Sequence, residues 1–251
     1  MNPDLVIAES GFIFVKNIYM GLIINIETAT TVCSVNLAKD GVIISERESR
    51  EDKSHASLLT VFIEQLLNEQ KLQVSELDAI AVSKGPGSYT GLRIGVSAAK
   101  GLCYGGDVPL ISINTLYSLA SFANNNRIEK AFNKYYLCPM IDARRMEVYT
   151  AIYDQSMNEI KSTSAEIIDE HSFAEILGNN QVYFFGNGAD KCRETITHKN
   201  AHFISDIEST AQGMVNQTEQ AFNNKQFEDL AYFEPYYLKD FVATTPKKPL
   251  F

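Results

Sequence analysis

GPGSYTGLRIGVSAAKGL, residues 85–102, follows closely on an apolar strand pattern, Ala79-Ile80-Ala81-Val82. Gly85-Pro86-Gly87 is loop chemistry, with φ freedom at each glycine and a fixed turn at the proline. Ser88 or Thr90 then offers an oxygen to the free N–H groups of a helix start. The helix that follows carries Gly91, Gly95 and Ala99 four residues apart, with Ala98 and Gly101 beside them. Each glycine costs about 1 kcal/mol of helix propensity relative to alanine. A helix built at that cost is expected to let another backbone approach closely, and the neighbour expected here is a second helix.

The loop fits neither common phosphate-binding motif. A P-loop requires G-x-x-x-x-G-K-[ST], but Leu92 follows Gly91 and the first lysine is Lys100. The dinucleotide fingerprint G-x-G-x-x-G fails because Gly85, Gly87 and Gly91 are one residue too widely spaced at the second gap. A tight strand-to-helix turn remains.

Outward from this stretch the pattern is regular. Leu22–Glu27 and Thr31–Ala38 read as strands, and Lys39-Asp40-Gly41 as a hairpin turn into a third strand, Val42–Arg50. An amphipathic helix over His55–Glu69 carries two apolar rows, Leu58/Phe62/Leu66 and Leu59/Ile63/Leu67. After the glycine-bearing helix, Leu110–Ile113 reads as a strand. The order then recurs: strands at Tyr136–Ile141, Met146–Tyr153 and Glu159–Ile168, a short helix at His171–Leu177, a strand at Val182–Phe185, a Gly186-Asn187-Gly188 turn into a helix from Ala189, a strand at Phe203–Ile204, and a final helix at Thr210–Phe222. Glu27 and Asp142 fall at matching strand ends. A duplicated three-strand-plus-helix unit is the plan of the actin/Hsp70/sugar-kinase (ASKHA) superfamily, an α/β fold of two RNase-H-like subdomains with nucleotide bound between them. That analogy alone says little about activity.

The expected organisation is an N-terminal extension at 1–19, one subdomain at 20–118, a second at 119–235 and a tail at 236–251, with the helix near 210–225 packing back on the first subdomain. Residues 1–19 lack the basic start of a signal peptide, and their apolar run is too short to span a membrane. The tail segment Thr244–Pro249 is basic and proline-bearing, and is expected to be extended or disordered. A net charge of −9 excludes broad electrostatic binding of nucleic acid by this chain alone. Cys33, Cys103, Cys138 and Cys192 are scattered, which indicates neither a disulfide framework nor a zinc site, so reduced cytosolic thiols are expected.

Five segments carry a closer resemblance: IETATTVCSVNL (26–37), SHASLL (54–59), GPGSYTGLRIGVSAAKGL (85–102), MIDARRMEVYTAIYD (140–154) and FEPYYLKD (233–240). Together they resemble the bacterial TsaB family, also called YeaZ, from about Met20 to Asp240. The resemblance implies a cytoplasmic, non-catalytic subunit of the complex that makes N6-threonylcarbamoyladenosine at adenosine 37 of tRNAs reading ANN codons. It implies pairing with the catalytic paralogue TsaD and cooperation with the ATPase TsaE; without TsaD, a second copy is expected to meet the same apolar patch and give a homodimer. It further implies that tRNA is met only through the complex and that no membrane is involved. No cofactor is required by this chain, and ATP or ADP can lodge at the complex interface. The expected partner interface comprises Leu58, Phe62, Leu66, Tyr89, Gly91, Leu92, Gly95, Val96 and Ala99, as a four-helix contact.

The residues bear on the alternative, an ATP-dependent kinase or a metallopeptidase-like enzyme of the same superfamily. The resemblance places the metal-holding H-x-x-x-H of TsaD-type proteins on Thr115 and Leu119, and leucine cannot ligate a metal. His198 and His202 form the one H-x-x-x-H, in a loop-like context without a third ligand; they read as surface histidines, and no metal site is expected. Glu27, Gly186 and Gly188 are weak cofactor-binding candidates: an acid at a strand end can hold Mg²⁺ through water, and the glycine turn resembles an adenosine loop. Ala29 stands where a kinase needs a phosphate-contacting glycine. His55 reads as a helix-start residue beside a Ser54 cap. Arg144 and Arg145, adjacent at a hairpin tip, either pair locally with Asp142 and Glu147 or reach a partner's carboxylates or RNA phosphate.

Overall fold

Each half of the chain builds a five-stranded mixed sheet, and the two sheets have the same strand order. A computed structural model describes residues 6–7, 13–14, 21–51, 55–129 and 131–239. In the N-terminal segment, β1 (Val6–Ile7) and β2 (Ile13–Phe14) pair with each other, apart from the two large sheets. The first large sheet contains β3 (Leu22–Glu27), β4 (Cys33–Lys39), β5 (Val42–Ser49), β6 (Ala79–Gly85) and β7 (Leu110–Asn114), in the order β5-β4-β3-β6-β7. The hairpin partners β3, β4 and β5 run antiparallel, and β6 and β7 join in parallel after helical crossovers. The second sheet repeats this with β8 (Tyr135–Asp142), β9 (Glu147–Asp154), β10 (Glu159–Ile167), β11 (Gln181–Phe185) and β12 (Ala201–Ile204), in the order β10-β9-β8-β11-β12. This is the duplicated α/β plan of the actin/Hsp70/sugar-kinase fold. Glu27 and Asp142 are the last residues of the equivalent strands β3 and β8.

Helices cover both faces of the first sheet. On the outer face lie α1 (His55–Gln70) and α2 (Tyr89–Gly106), which seal a core that includes Ile24, Val35, Leu37, Ile80 and Val82. The inner face, with Ile23, Ala79, Ala81, Ile111 and Ile113, is covered by Met214, Ala221 and Phe222 around α5 (Val215–Asn223). So a helix from the end of the second half completes the first sheet. The converse also holds. α3 (Thr115–Asn126) leaves the end of β7 and packs its Leu116, Leu119, Ala120 and Ala123 on the second sheet, against Leu137, Ile141 and Phe185. The short α4 (Ala174–Asn179) puts Leu177 on that sheet's other face.

Several local readings change. The sequence pattern does not announce the helix at 115–126, which starts because Asn114 accepts a hydrogen bond from the Tyr117 N–H at 3.1 Å. The helix expected from Ala189 is a single 3-10 turn, Asp190–Cys192. The expected 171–177 helix starts late because the Asp169 carboxylate accepts bonds from the His171 N–H and the Ser172 hydroxyl, forming a turn. After α5 the chain crosses the first sheet again. Glu228 N–H donates to Leu110 O at 2.8 Å, and Tyr236 N–H donates to Lys84 O at 2.7 Å. It then reaches the second sheet, where Lys239 pairs with Glu147. The basic segment Thr244–Pro249 lies outside the described residues, as does Ser54. Among the described residues no helix is long and apolar enough to cross a membrane.

Candidate functional site

Two places follow from the sequence reading: the junction between the sheets, where a nucleotide sits in the wider superfamily, and the outer layer formed by α1 and α2.

At the junction, the β3–β4 turn pushes Thr30 and Thr31 toward Leu119, Ile141, Asn187, Glu208 and Ser209. The crevice between them has an empty volume of about 200 Å³. Glu27 does not face this crevice as an open acid. It is fully buried, and one carboxylate oxygen accepts from Ala29 N–H at 2.6 Å and the Ser83 hydroxyl at 2.7 Å. Its other oxygen has no hydrogen-bond partner. Burial therefore raises its pKa to about 7, against the opposing pull of the Ala29 and Ser83 hydrogen bonds. A covered carboxyl whose pKa is pushed up to about 7 is poorly suited to holding Mg²⁺ through water.

Gly186 and Gly188 also have a packing explanation. Gly186 has φ +99°, and a side chain there would run into Met140 O and Leu119. A Cβ on Gly188 would lie 2.8 Å from the Ile141 carbonyl carbon. Both glycines let the turn after β11 cross the end of β8. Thr115 is wholly buried, and Leu119 lies nearly so in the core between α3 and the second sheet. His198 and His202 diverge: the His198 ring accepts from Asn200 N–H, while His202 sits between Phe132 and Tyr183 and hydrogen-bonds Gln181 at 2.6 Å. His55 is buried, with its Nε2 3.2 Å from Val32 O. Among the described residues no cluster of three His, Cys, Asp or Glu side chains has metal-binding geometry.

The helical layer departs from expectation in a specific way. Gly91, Leu92, Gly95, Val96 and Ala99 face inward, as does Leu66. The two glycines do not serve a helix–helix contact. A side chain at Gly91 would strike Thr28 O, and one at Gly95 would strike the Thr28 hydroxyl. Thr28 Oγ1 donates to Gly91 O at 2.9 Å, and Ser88 N–H donates to Ala29 O at 2.7 Å. The small residues let α2 rest directly on the β3–β4 turn. Ser88 is the cap, accepting from Gly91 N–H. Leu58 and Phe62 share a helical row with Gln65 and Glu69, which bond Arg47 of β5, so that row lies over the sheet edge. Tyr89 packs against Tyr237 with ring centroids 5.0 Å apart and planes tilted by 39°, and lies under Arg93. Lys100 donates to the Ala231 and Phe233 carbonyls. One flank of α2 thus holds the returning chain, and the opposite flank carries Ile94, Ala98 and Leu102, all partly buried. Facing outward are Val61, 41% exposed, and Tyr104, 85% exposed.

With that geometry in place, residues 42–246 match the family model described as TsaD: tRNA N6-adenosine threonylcarbamoyltransferase. The chain is 34% identical over 131 residues to the tRNA threonylcarbamoyladenosine biosynthesis protein TsaB of Bacillus subtilis (strain 168). That match takes in 52% of this chain and spans about half, 54%, of the relative's length. It is 30% identical over 192 residues to the protein of the same name from Buchnera aphidicola subsp. Baizongia pistaciae, covering 74% of this chain and 82% of the relative. Among solved structures, a Pseudomonas aeruginosa protein described as similar to peptidase YEAZ superposes with a TM-score of 0.76 at 23% identity. That alignment covers 88% of this chain and 100% of the other.

Proposed function

The chain belongs to the TsaB (YeaZ) family, and on that premise we propose that it is the non-catalytic partner of a TsaD-type subunit in tRNA threonylcarbamoyladenosine synthesis. It scaffolds and activates that subunit together with a TsaE-type ATPase, and requires no cofactor of its own. A nucleotide, where one takes part, lodges at the interface of the complex. The observation that carries this reading is the state of the junction. The positions that the resemblance aligns with metal histidines are the buried Thr115 and Leu119, Glu27 is enclosed, and the acid lining the crevice, Glu208, pairs with Arg50 at 3.1 Å. A kinase or a metallopeptidase would need that junction open and furnished with ligands.

Docking takes place on the outer layer. The contact runs across Val61 of α1 and Ile94, Ala98, Leu102 and Tyr104 of α2, with Leu58 and Phe62 at its rim. The expected anchors Gly95 and Val96 act from beneath, by setting the height of α2. An apolar strip over an already packed layer is the composition of an interface centre. In the absence of the TsaD-type subunit, a second copy covers the same strip.

Val61→Arg is expected to abolish co-elution with the TsaD-type subunit in size-exclusion chromatography, because it places an unpaired cation in the centre of the contact. The melting temperature of the chain alone should stay within about 2 °C, since exposed positions rarely matter to the monomer. Unimpaired co-elution would refute this placement. Omission of the chain from a reconstituted tRNA modification assay should abolish activity, and ATP turnover by the chain alone would favour the enzyme alternative.

A further inference from the structure

The hairpin joining β8 to β9 turns through Arg144 at φ +73° and Arg145 at φ +50°. Both are left-handed conformations, which Gly and Asn adopt most readily, and the turn closes where Glu147 N–H donates to Arg144 O at 3.1 Å. Arginine is a poor choice there, since a Cβ disfavours positive φ. The surroundings enforce the conformation. Asp142 accepts from Arg144 N–H at 3.0 Å, and its own N–H is held by the Asn187 side chain at 3.0 Å. Lys191 grips the hairpin from below, donating to the Arg145 and Glu147 carbonyls at 2.7 Å each and pairing with Asp142.

This wiring settles where the charge is. The hairpin and its supports hold four cations, Arg144, Arg145, Lys191 and Lys239, against two carboxylates. Asp142 is neutralised by Lys191 and Glu147 by Lys239. Both arginines are exposed. Two adjacent, exposed arginines therefore stand on a braced tip of a chain whose net charge is −9. Backbone strain retained to display particular side chains marks functional positions. Planar paired guanidiniums suit phosphate oxygens, which they bind bidentately.

We propose that the Arg144–Arg145 tip is a phosphate-backbone contact for RNA, which this chain contributes to the assembled complex. The proposal rests on the reading above, that the complex acts on tRNA. It is also consistent with the docking layer, because α1 and α2 cover the first sheet while this hairpin rises from the second. A chain this acidic repels RNA over most of its surface, so a local pair of cations with no carboxylate partner among the described residues is where a strand can approach.

The test uses the full chain in its complex with the TsaD-type subunit and an unmodified tRNA that reads an ANN codon. Two double variants are compared with the parent: Arg144→Asn with Arg145→Gly, and Arg144→Gln with Arg145→Gln. Both should still co-elute with the partner, and the Asn-Gly variant should melt at or above the parent temperature because its turn is relaxed. For both, tRNA affinity should fall about tenfold, and the slope of log affinity against log salt should become shallower by about 2. An unchanged affinity and slope, with co-elution intact, would overturn the hairpin assignment and leave the scaffold reading standing. Loss of co-elution would show that the tip meets protein instead, and would equally overturn it. Failure of Val61→Arg to disturb pairing would count against the scaffold placement alone.

Discussion

Glu27 keeps its proton to about pH 7 because it is sealed beneath Ala29 with one oxygen unpaired. Between pH 4.5 and 7 the unfolded chain has released that proton and the folded chain has not. Stability therefore falls as pH rises through this window, by about 3 kcal/mol in all, and levels off above it. Glu27→Gln should flatten this stretch of the profile, so that urea midpoints at pH 5 and pH 8 come closer together than in the parent. An unaltered profile would place the ionisation elsewhere. The acid itself was legible in the sequence, since its place at the end of β3 follows from the apolar run before it. Its burial was not, because Ser83 is 56 residues away and its hydroxyl meets the carboxylate only once β6 pairs with β3. The same holds for Arg144 and Arg145: adjacency was visible, but the brace from Lys191, far along the chain, was not.

At the level of elements, the glycines of α2 separate into two kinds. Gly91 stands against the Thr28 carbonyl, whereas Gly101 has nothing within 4 Å of where a Cβ would lie. Gly91→Ala is expected to destabilise by about 1–3 kcal/mol through forced displacement of the β3–β4 turn. Gly101→Ala is expected to stabilise by about 0.5–1 kcal/mol through helix propensity alone. Thermal or urea denaturation of the two variants distinguishes them by sign. The four-residue spacing of small residues correctly announced a close approach, but not what approaches. The turn at Thr28 is remote in sequence and carries no signal of its own, so a helix was the more natural expectation. α3 escaped notice for a related reason: its interior is rich in Ser and Asn, and it is stabilised by the second sheet more than by its own propensity.

For the molecule as a whole, the duplicated strand order was readable from periodicity and turn residues, because strand, turn and crossover each leave a local mark. Of the exchange between the sheets only half is marked: the helix near 210–225 is expected to pack back on the first subdomain, whereas α3 leaves no sign of its crossing. The exchange has a testable consequence. A fragment of residues 21–118 retains every strand of the first sheet but lacks Met214, Ala221 and Phe222, which cover Ile23, Ala79, Ala81, Ile111 and Ile113. Such a fragment is expected to lack a cooperative thermal transition and to bind a hydrophobic dye. Mixing it with residues 119–239 should restore the transition, and cooperative melting of the fragment by itself would show the lobes to be independent.

The same exchange constrains how such a body can have arisen. A primitive single-lobe ancestor would have carried one bare sheet face and one helix with nowhere to lie on its own copy. Two such molecules trading helices would have satisfied each other, as domain-swapped pairs do. Joining their genes end to end would then convert a partnership dependent on concentration into one fixed by covalent linkage. The present chain has the contacts of such a linked pair: each half ends in a helix that lies on the other half's sheet, and the two sheets share one strand order.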